Sequence, residues 1–176
     1  KPDRWGRVET ELVLAAIDPS RLHSRLPAAR LSGRISAEAG RDSQTAKIAL
    51  ADGRFDLAAE LARHGTKLDL AKLRLASGGA EISGSGSIDL DASRRFALAL
   101  QASRFDPHML WAAAPAGSLS GSLAASGRLK ARPELEGRFA LADSRLAGFP
   151  VAGDGVISLA DGHLSHTKFS LDALGN

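Results

Sequence analysis

The chain has no cysteine and no tyrosine. The first absence removes disulfides and thiolate metal sites, although it does not identify a compartment. Aromatic residues make up only 5 % of the sequence, which leaves few platforms for stacking bases. Charge of one sign is scarce as well: 23 Lys and Arg stand against 20 Asp and Glu, a net +3 scattered along the chain. That balance argues against the clustered basic footprint of a nucleic-acid binder. No apolar run reaches the roughly 18 residues that span a bilayer, and no signal-peptide core is visible, so no transmembrane segment is expected in this stretch. The 176 residues open on Lys1-Pro2-Asp3-Arg4 without an initiator Met, and the expectation is an internal segment of a longer protein.

What is present is alternation. Leu12, Leu14 and Ala16 share a face with Val8 and Thr10, while Glu9 and Glu11 take the other. Leu31, Gly33, Ile35, Ala37 and Ala39 oppose Ser32, Arg34, Ser36 and Glu38. Phe55, Leu57, Ala59 and Leu61 oppose Arg54, Asp56 and Glu60; Ile82, Gly84, Gly86, Ile88 and Leu90 oppose Ser83, Ser85, Ser87 and Asp89. The same period continues through Phe96, Leu98 and Leu100, through Leu119, Gly121, Leu123, Ala125, Gly127 and Leu129, and through Leu135, Gly137, Phe139 and Leu141. A period of two over such lengths specifies strands with one apolar and one polar face. Turn signals separate them at Asp52-Gly53, Gly78-Gly79, Asp154-Gly155 and Asp161-Gly162. About a dozen strands and an all-β chain are expected.

Two segments break the alternation, and each opens on Asp-Pro: Asp18-Pro19 and Asp106-Pro107. An Asp cap followed by Pro predicts short helices, near 18–25 and 106–113. The two segments lie 88 residues apart, and the same offset carries Leu22 to Leu110, Pro27 to Pro115, and Leu31-Ser32-Gly33 to Leu119-Ser120-Gly121. Further along, Ile48 to Asp52 matches Phe139 to Asp143, and Lys67-Leu68 with Leu73 and Leu75 matches His163-Leu164 with Phe169 and Leu171. Between Leu68 and Leu73 the phase slips by one, and it slips again between Leu164 and Phe169, which predicts a β-bulge in each copy. The expected organisation is a first repeat over 1–104 and a second over 105–176 that stops in mid-repeat, as a slice of a longer array would.

One-faced strands must place their apolar side somewhere: in a closed barrel, in a two-sheet sandwich with a dry core, or in an open curved trough. A barrel has a fixed strand number and no reason to repeat. An open trough exposes apolar wall that costs about 25 kcal/mol per thousand Å² unless something fills it. The residues expected to line it are Leu12, Leu14, Leu31, Ile35, Ile48, Leu50, Phe55, Leu57 and Leu61 in the first strands. Leu73, Leu75, Ile82, Ile88, Leu90, Phe96, Leu98 and Leu100 follow. Leu119, Leu123, Leu129, Phe139, Leu141, Ile157, Leu159, Phe169 and Leu171 complete the set. Glycines on this face (Gly33, Gly84, Gly86, Gly121, Gly127, Gly137) are expected to leave gaps and allow curvature.

The pattern Ile17-Asp18-Pro19 with Leu22, Pro27-Ala28 and Leu31-Ser32-Gly33 returns as Phe105-Asp106-Pro107 with Pro115 to Gly121. It resembles the TamB family, the large subunits of the bacterial translocation and assembly module within the AsmA-like group, over essentially the whole chain to Leu174. The resemblance implies a taco-shaped, repeating β-groove. It implies the periplasmic portion of an inner-membrane-anchored envelope protein of Gram-negative bacteria, facing a TamA-like outer-membrane partner. Two roles come with it: conduction of phospholipids between the membranes, and assembly or secretion of outer-membrane proteins. In the first, acyl chains lie along the apolar wall with headgroups at its wet edge. In the second, nascent strands are held by strand addition at a free edge. Pro27, Pro115, Pro133 and Pro150 near strand ends are expected to blunt such edges, and cut ends invite self-association.

No enzyme, cofactor or metal is expected. His163 and His166 fall on opposite faces of a strand, and His23 and His108 belong to the helical segments. Gly84-Ser85-Gly86 lies within a strand, not at a nucleophile elbow, and no helix follows the Gly78-Gly79 run as a phosphate loop requires. Arg41, Arg94 and Arg95 mark solvated turns. Trp111 caps the end of a repeat with Met109 and Leu110, or faces a partner.

Overall fold

The alternation is realised as a single antiparallel sheet. The computed structural model describes residues 7–21, 30–109, 114–129, 133–160 and 163–173. The strands are β1 (Val8–Ile17), β2 (Leu31–Ala39), β3 (Ser43–Ala51), β4 (Asp56–His64), β5 (Lys67–Ser77) and β6 (Ala80–Asp89). They continue as β7 (Arg95–Phe105), β8 (Gly117–Arg128), β9 (Glu134–Leu146), β10 (Phe149–Ala160) and β11 (His163–Ala173). The order across the sheet is the order of the chain, so the eleven strands form an open meander whose edges are β1 and β11. Among the described residues the count is eleven, against the dozen expected.

Extensive contacts between strands run only between sequence neighbours. No second layer covers the sheet among the described residues, which sets aside the two-sheet sandwich, and the open order sets aside the closed barrel. The surface agrees. A compact chain of 18.3 kDa exposes roughly 8,100 Å², whereas this one exposes 12285 Å². Its buried apolar residues are Leu31, Ala59 and Ala114, and no large side chain is fully buried among the described residues.

The turns differ in part from the sequence expectation. Gly78-Gly79 joins β5 to β6 with φ of 54° and 85°, a two-residue turn whose twist matches the strands it joins. Asp52 closes the turn before β4 by accepting the amides of Arg54 (2.9 Å) and Phe55 (3.1 Å). Asp154-Gly155 is not a turn: it lies inside β10, and the turn before that strand is Ala147-Gly148. Asp161-Gly162 lies outside the described residues.

The described parts of the two Asp-Pro segments form 3₁₀ turns, Pro19–Arg21 and Pro107–Met109, where the expected helices would begin. Asp18 Oδ1 accepts the Ser20 amide (3.1 Å) and Asp106 Oδ1 the His108 amide (3.0 Å). The Asp therefore closes a local turn. Residues 22–29 and 110–113, with Leu22, His23, Pro27 and Trp111, lie outside the described residues. Of the prolines expected to blunt edges, Pro150 is in β10 and Pro115 and Pro133 precede β8 and β9, all interior strands.

Five bulges keep the sheet's faces in phase. In β5 the register steps from Leu70 to Leu73 while β6 advances only from Gly86 to Gly84. In β11 it steps from Leu164 to His166 while β10 moves one residue, which places His163 and His166 at positions of the same face and not on opposite ones. Both lie where the sequence slips. Three more are not among the expected ones: Leu14 to Ile17 in β1, Ala102 to Phe105 in β7 and Leu141 to Ser144 in β9. The alternation of the sequence runs through Ala16, but φ there is 53° and the phase breaks; φ is 51° at Arg104 and 48° at Asp143. The amide of Ala16 donates to Ser32 Oγ and that of Arg104 to Ser120 Oγ, each at 3.0 Å.

Candidate functional site

In an antiparallel sheet, residues directly opposite one another point to the same face. Following the register therefore draws rows across the sheet. One row passes through Leu12, Ile35, Ile48, Ala59, Leu73, Gly84, Leu100, Leu123, Phe139 and Gly155 to Phe169. Beside it runs Leu14, Gly33, Leu50, Leu57, Leu75, Ile82, Ala102, Gly121, Leu141, Gly153 and Leu171. On the other side runs Thr10, Ala37, Ala46, Leu61, Leu70, Gly86, Leu98, Ala125, Gly137, Ile157 and Thr167. None of the three rows contains an ionisable residue. A fourth holds Leu68, Ile88, Phe96, Leu135 and Leu159, but Gln44 and Arg63 make it polar at β3 and β4.

Most of the residues singled out in the sequence thus meet on one face. Five sit at its ends. Leu31 pairs with Ile17 and Leu119 with Phe105 beyond the bulges. Phe55 precedes β4, and Leu90 and Leu129 follow β6 and β8 as exposed residues. Leu68, Leu70 and Leu135 also belong to the face. Leu68 and Leu70 are out of phase with Leu73, and only the bulge at Ala71 brings the two pairs together.

Of the glycines expected to leave gaps, only Gly137 does, with nothing nearer than 3.9 Å to an added Cβ. At Gly84 an added Cβ would lie 2.6 Å from Leu100 Cδ2, and at Gly155 it would lie 2.5 Å from Phe139 Cε1, so neighbouring side chains lie down over the glycines. At Gly33 and Gly121 a Cβ would meet the Ala49 and Ala140 carbonyl oxygens at 2.0 Å, with φ of +152° and +155°. These two close approaches directly follow the serines that clasp the bulges. Leu31-Ser32-Gly33 and Leu119-Ser120-Gly121 are therefore one local device: a hydroxyl satisfies the bulged amide and a glycine admits the neighbouring strand. In the second, Ser144, 3 % exposed, accepts the Ser120 amide at 2.9 Å.

The two faces differ in enclosure and charge. Along β7, Phe96, Leu98 and Leu100 are half-buried while Ala97, Ala99 and Gln101 are exposed. Leu123, with less cover, is 40 % exposed, and at the β1 edge Leu12 is 54 % exposed. The opposite face carries the ion pairs, Arg34 with Glu11 (2.5 Å) and Arg74 with Glu81 (2.9 Å) among them. Exposed pairs of this kind stabilise little, but they keep that face wet. Its shallow depressions, such as those bounded by Glu9, Glu11, Glu38 and Lys47 or by Ser85, Ser87, Ala97 and Ala99, are gaps between solvated side chains. Among the described residues no three His, Asp or Glu gather as metal ligands, and no helix is long and apolar enough to cross a membrane.

No protein-family model matches this chain, and neither a curated protein nor a solved structure is significantly similar to it.

Proposed function

We propose that the apolar face carries the acyl chains of phospholipids, as part of a TamB-like envelope-spanning protein whose groove links the inner and outer membranes. The observation that supports this is the three charge-free rows that cross all eleven strands. A ligand moving across the sheet meets Leu, Ile, Phe, Ala or Gly, with Thr10 and Thr167 at the two ends of one row, and no ionisable group. Each CH₂ removed from water gains about 0.8 kcal/mol, so an acyl chain is held firmly along such a surface. Because successive strands present similar side chains, the free energy changes little as the chain slides, which a conduit needs and a closed pocket prevents. Headgroups would stay at the polar rim, where Gln44 and Arg63 interrupt the fourth row. No side chain is assigned a catalytic role.

The finer architecture belongs to the same proposal: a curved trough built of repeats about 88 residues long. Supporting it are features that recur at that offset, namely Ala16 and Arg104 at positive φ, their Ser32 and Ser120 clasps, and the paired Asp18 and Asp106 turns.

A second reading has an observation of its own. The edge strand β1 exposes Val8, Leu12, Val13 and Ile17, which suits strand addition by a nascent outer-membrane protein. Photo-crosslinking in Gram-negative cells separates the two, with the probe at Leu123 on the apolar face and at Ser122 on the other. Lipid adducts at Leu123 and none at Ser122 are expected. Protein adducts at Leu123 in place of lipid would replace the conduit with the assembly scaffold.

A further inference from the structure

The apolar face has the extent of a protein interface. Strands lie about 4.8 Å apart and same-face residues about 6.8 Å apart along a strand, so three rows on eleven strands cover roughly 1,000 Å² in plan. Twist of about 20° per strand prevents a rigid partner from following all of it. Some six strands can face a second sheet at once, or about 600 Å² per copy and 1,200 Å² for a pair, which meets the threshold of about 1,000 Å² for a stable association. The chain's own surface points the same way, at 12285 Å² against the roughly 8,100 Å² of a compact chain of its mass.

We propose that two copies of this chain pack apolar face to apolar face, so that each supplies the second layer the other lacks. Self-complementarity is met on chemistry. The three central rows carry no ionisable side chain that would be buried unpaired against its counterpart. The charged residues of the opposite face remain in water. This goes beyond the acyl-chain reading and does not rest on it: the paired state would stand if no lipid ever bound. It also differs from joining at strand edges, because β1 and β11 stay unpaired within it.

The test uses lipid-free protein and the absence of native cysteine. Sedimentation of the unsubstituted chain at about 100 µM should give twice the 18.3 kDa mass, falling towards one copy near 1 µM. Single cysteines at Leu98 or Leu123 should react with maleimide about fourfold slower at the higher concentration, as mass action gives for a Kd of about 10 µM, and those at Ala99 or Ser122 should change less than about 1.5-fold. Each variant's far-UV spectrum is first matched to the parent's. A single-copy mass at both concentrations overturns the proposal. So does protection at Ala99 and Ser122, or a doubled mass with no protection at Leu98 and Leu123, which would place the contact on the other face or at the edges.

Discussion

Replacing Gly121 by alanine tests the bulge device at its tightest point. The added Cβ would lie 2.0 Å from the Ala140 carbonyl oxygen and 3.0 Å from Leu141 Cα. To restore contact distance β9 must retreat by about 1 Å, which stretches a ladder bond of about 2.9 Å past the limit at which it counts as one. Gly121 pairs with Leu141 and the next residue, Ser122, with Ala140. Losing two bonds at about 1 kcal/mol each and forcing a side chain into a glycine-only backbone region at about 1–2 kcal/mol sums to about 3–4 kcal/mol. Gly53→Ala is the matched control. Its φ is +82°, but nothing lies within 4 Å of the added Cβ, so only backbone strain of about 1–2 kcal/mol applies. Urea unfolding followed by far-UV circular dichroism measures the totals, and amide exchange should localise the Gly121→Ala damage to β8 and β9. If the two substitutions cost the same within about 0.5 kcal/mol, the close approach is not what the glycine is for.

Two further outcomes are expected. Burial pushes the Asp52 carboxyl up, but hydrogen bonds from the Arg54 amide and guanidinium and from the Phe55 amide outweigh it and hold the group below its ordinary 3.8. A depressed folded value stabilises at pH above the unfolded value and fades as pH falls through the folded one; the advantage of the parent over Asp52→Asn, about 1 kcal/mol at pH 7, should therefore shrink below about pH 4 in urea melts. Deleting Ala71 should leave the sheet intact within about 1 kcal/mol, because Leu70, Lys72 and Leu73 then meet Leu61, Glu60 and Ala59 without a skipped residue. Deleting Ala97 from a regular stretch should cost more than about 2 kcal/mol by turning Phe96 to the wet face.

The faces of the sheet were legible in the sequence because a period of two is a local property: Phe96, Leu98 and Leu100 declare their side without reference to any other strand. The β5 and β11 bulges were legible too, since Leu68 and Leu73 are an odd number of residues apart and so are Leu164 and Phe169. The β9 bulge was not, and neither were those of β1 and β7, because the out-of-phase residue (Leu146, Ile17 or Phe105) is the last of its strand and no second apolar residue follows to declare the new phase. For β1 and β7 the signal was in the partner strand, where a serine precedes a glycine at Ser32-Gly33 and Ser120-Gly121. Asp18-Pro19 and Asp106-Pro107 are ambiguous for a different reason: an Asp that caps a helix and an Asp that closes a single turn accept the same amide two residues on. Asp154-Gly155 misled because a glycine wanted for the Phe139 ring looks like a glycine wanted for a hairpin.

The bulges also bear on whether the apolar face is covered. Each leaves a backbone group outside the regular ladder, at a cost of about 1 kcal/mol where no clasp repairs it. If every residue of β5, Ala71 included, took its place in a regular ladder, one of the pairs Leu68 with Leu70 or Leu73 with Leu75 would turn to the opposite face. On a sheet wet on both sides that exchange would cost little, since a leucine loses the same hydration on either. It costs about 1.5–3 kcal/mol per residue only where one side is shielded from water and the other is not. The same trade is made five times, at Leu14 to Ile17, Leu70 to Leu73, Ala102 to Phe105, Leu141 to Leu146 and Leu164 to Phe169, and each time the apolar residues return to the same side. The proposed occupancy of that face, by an acyl chain or by a second copy, would supply the shielding that offsets the lost ladder regularity.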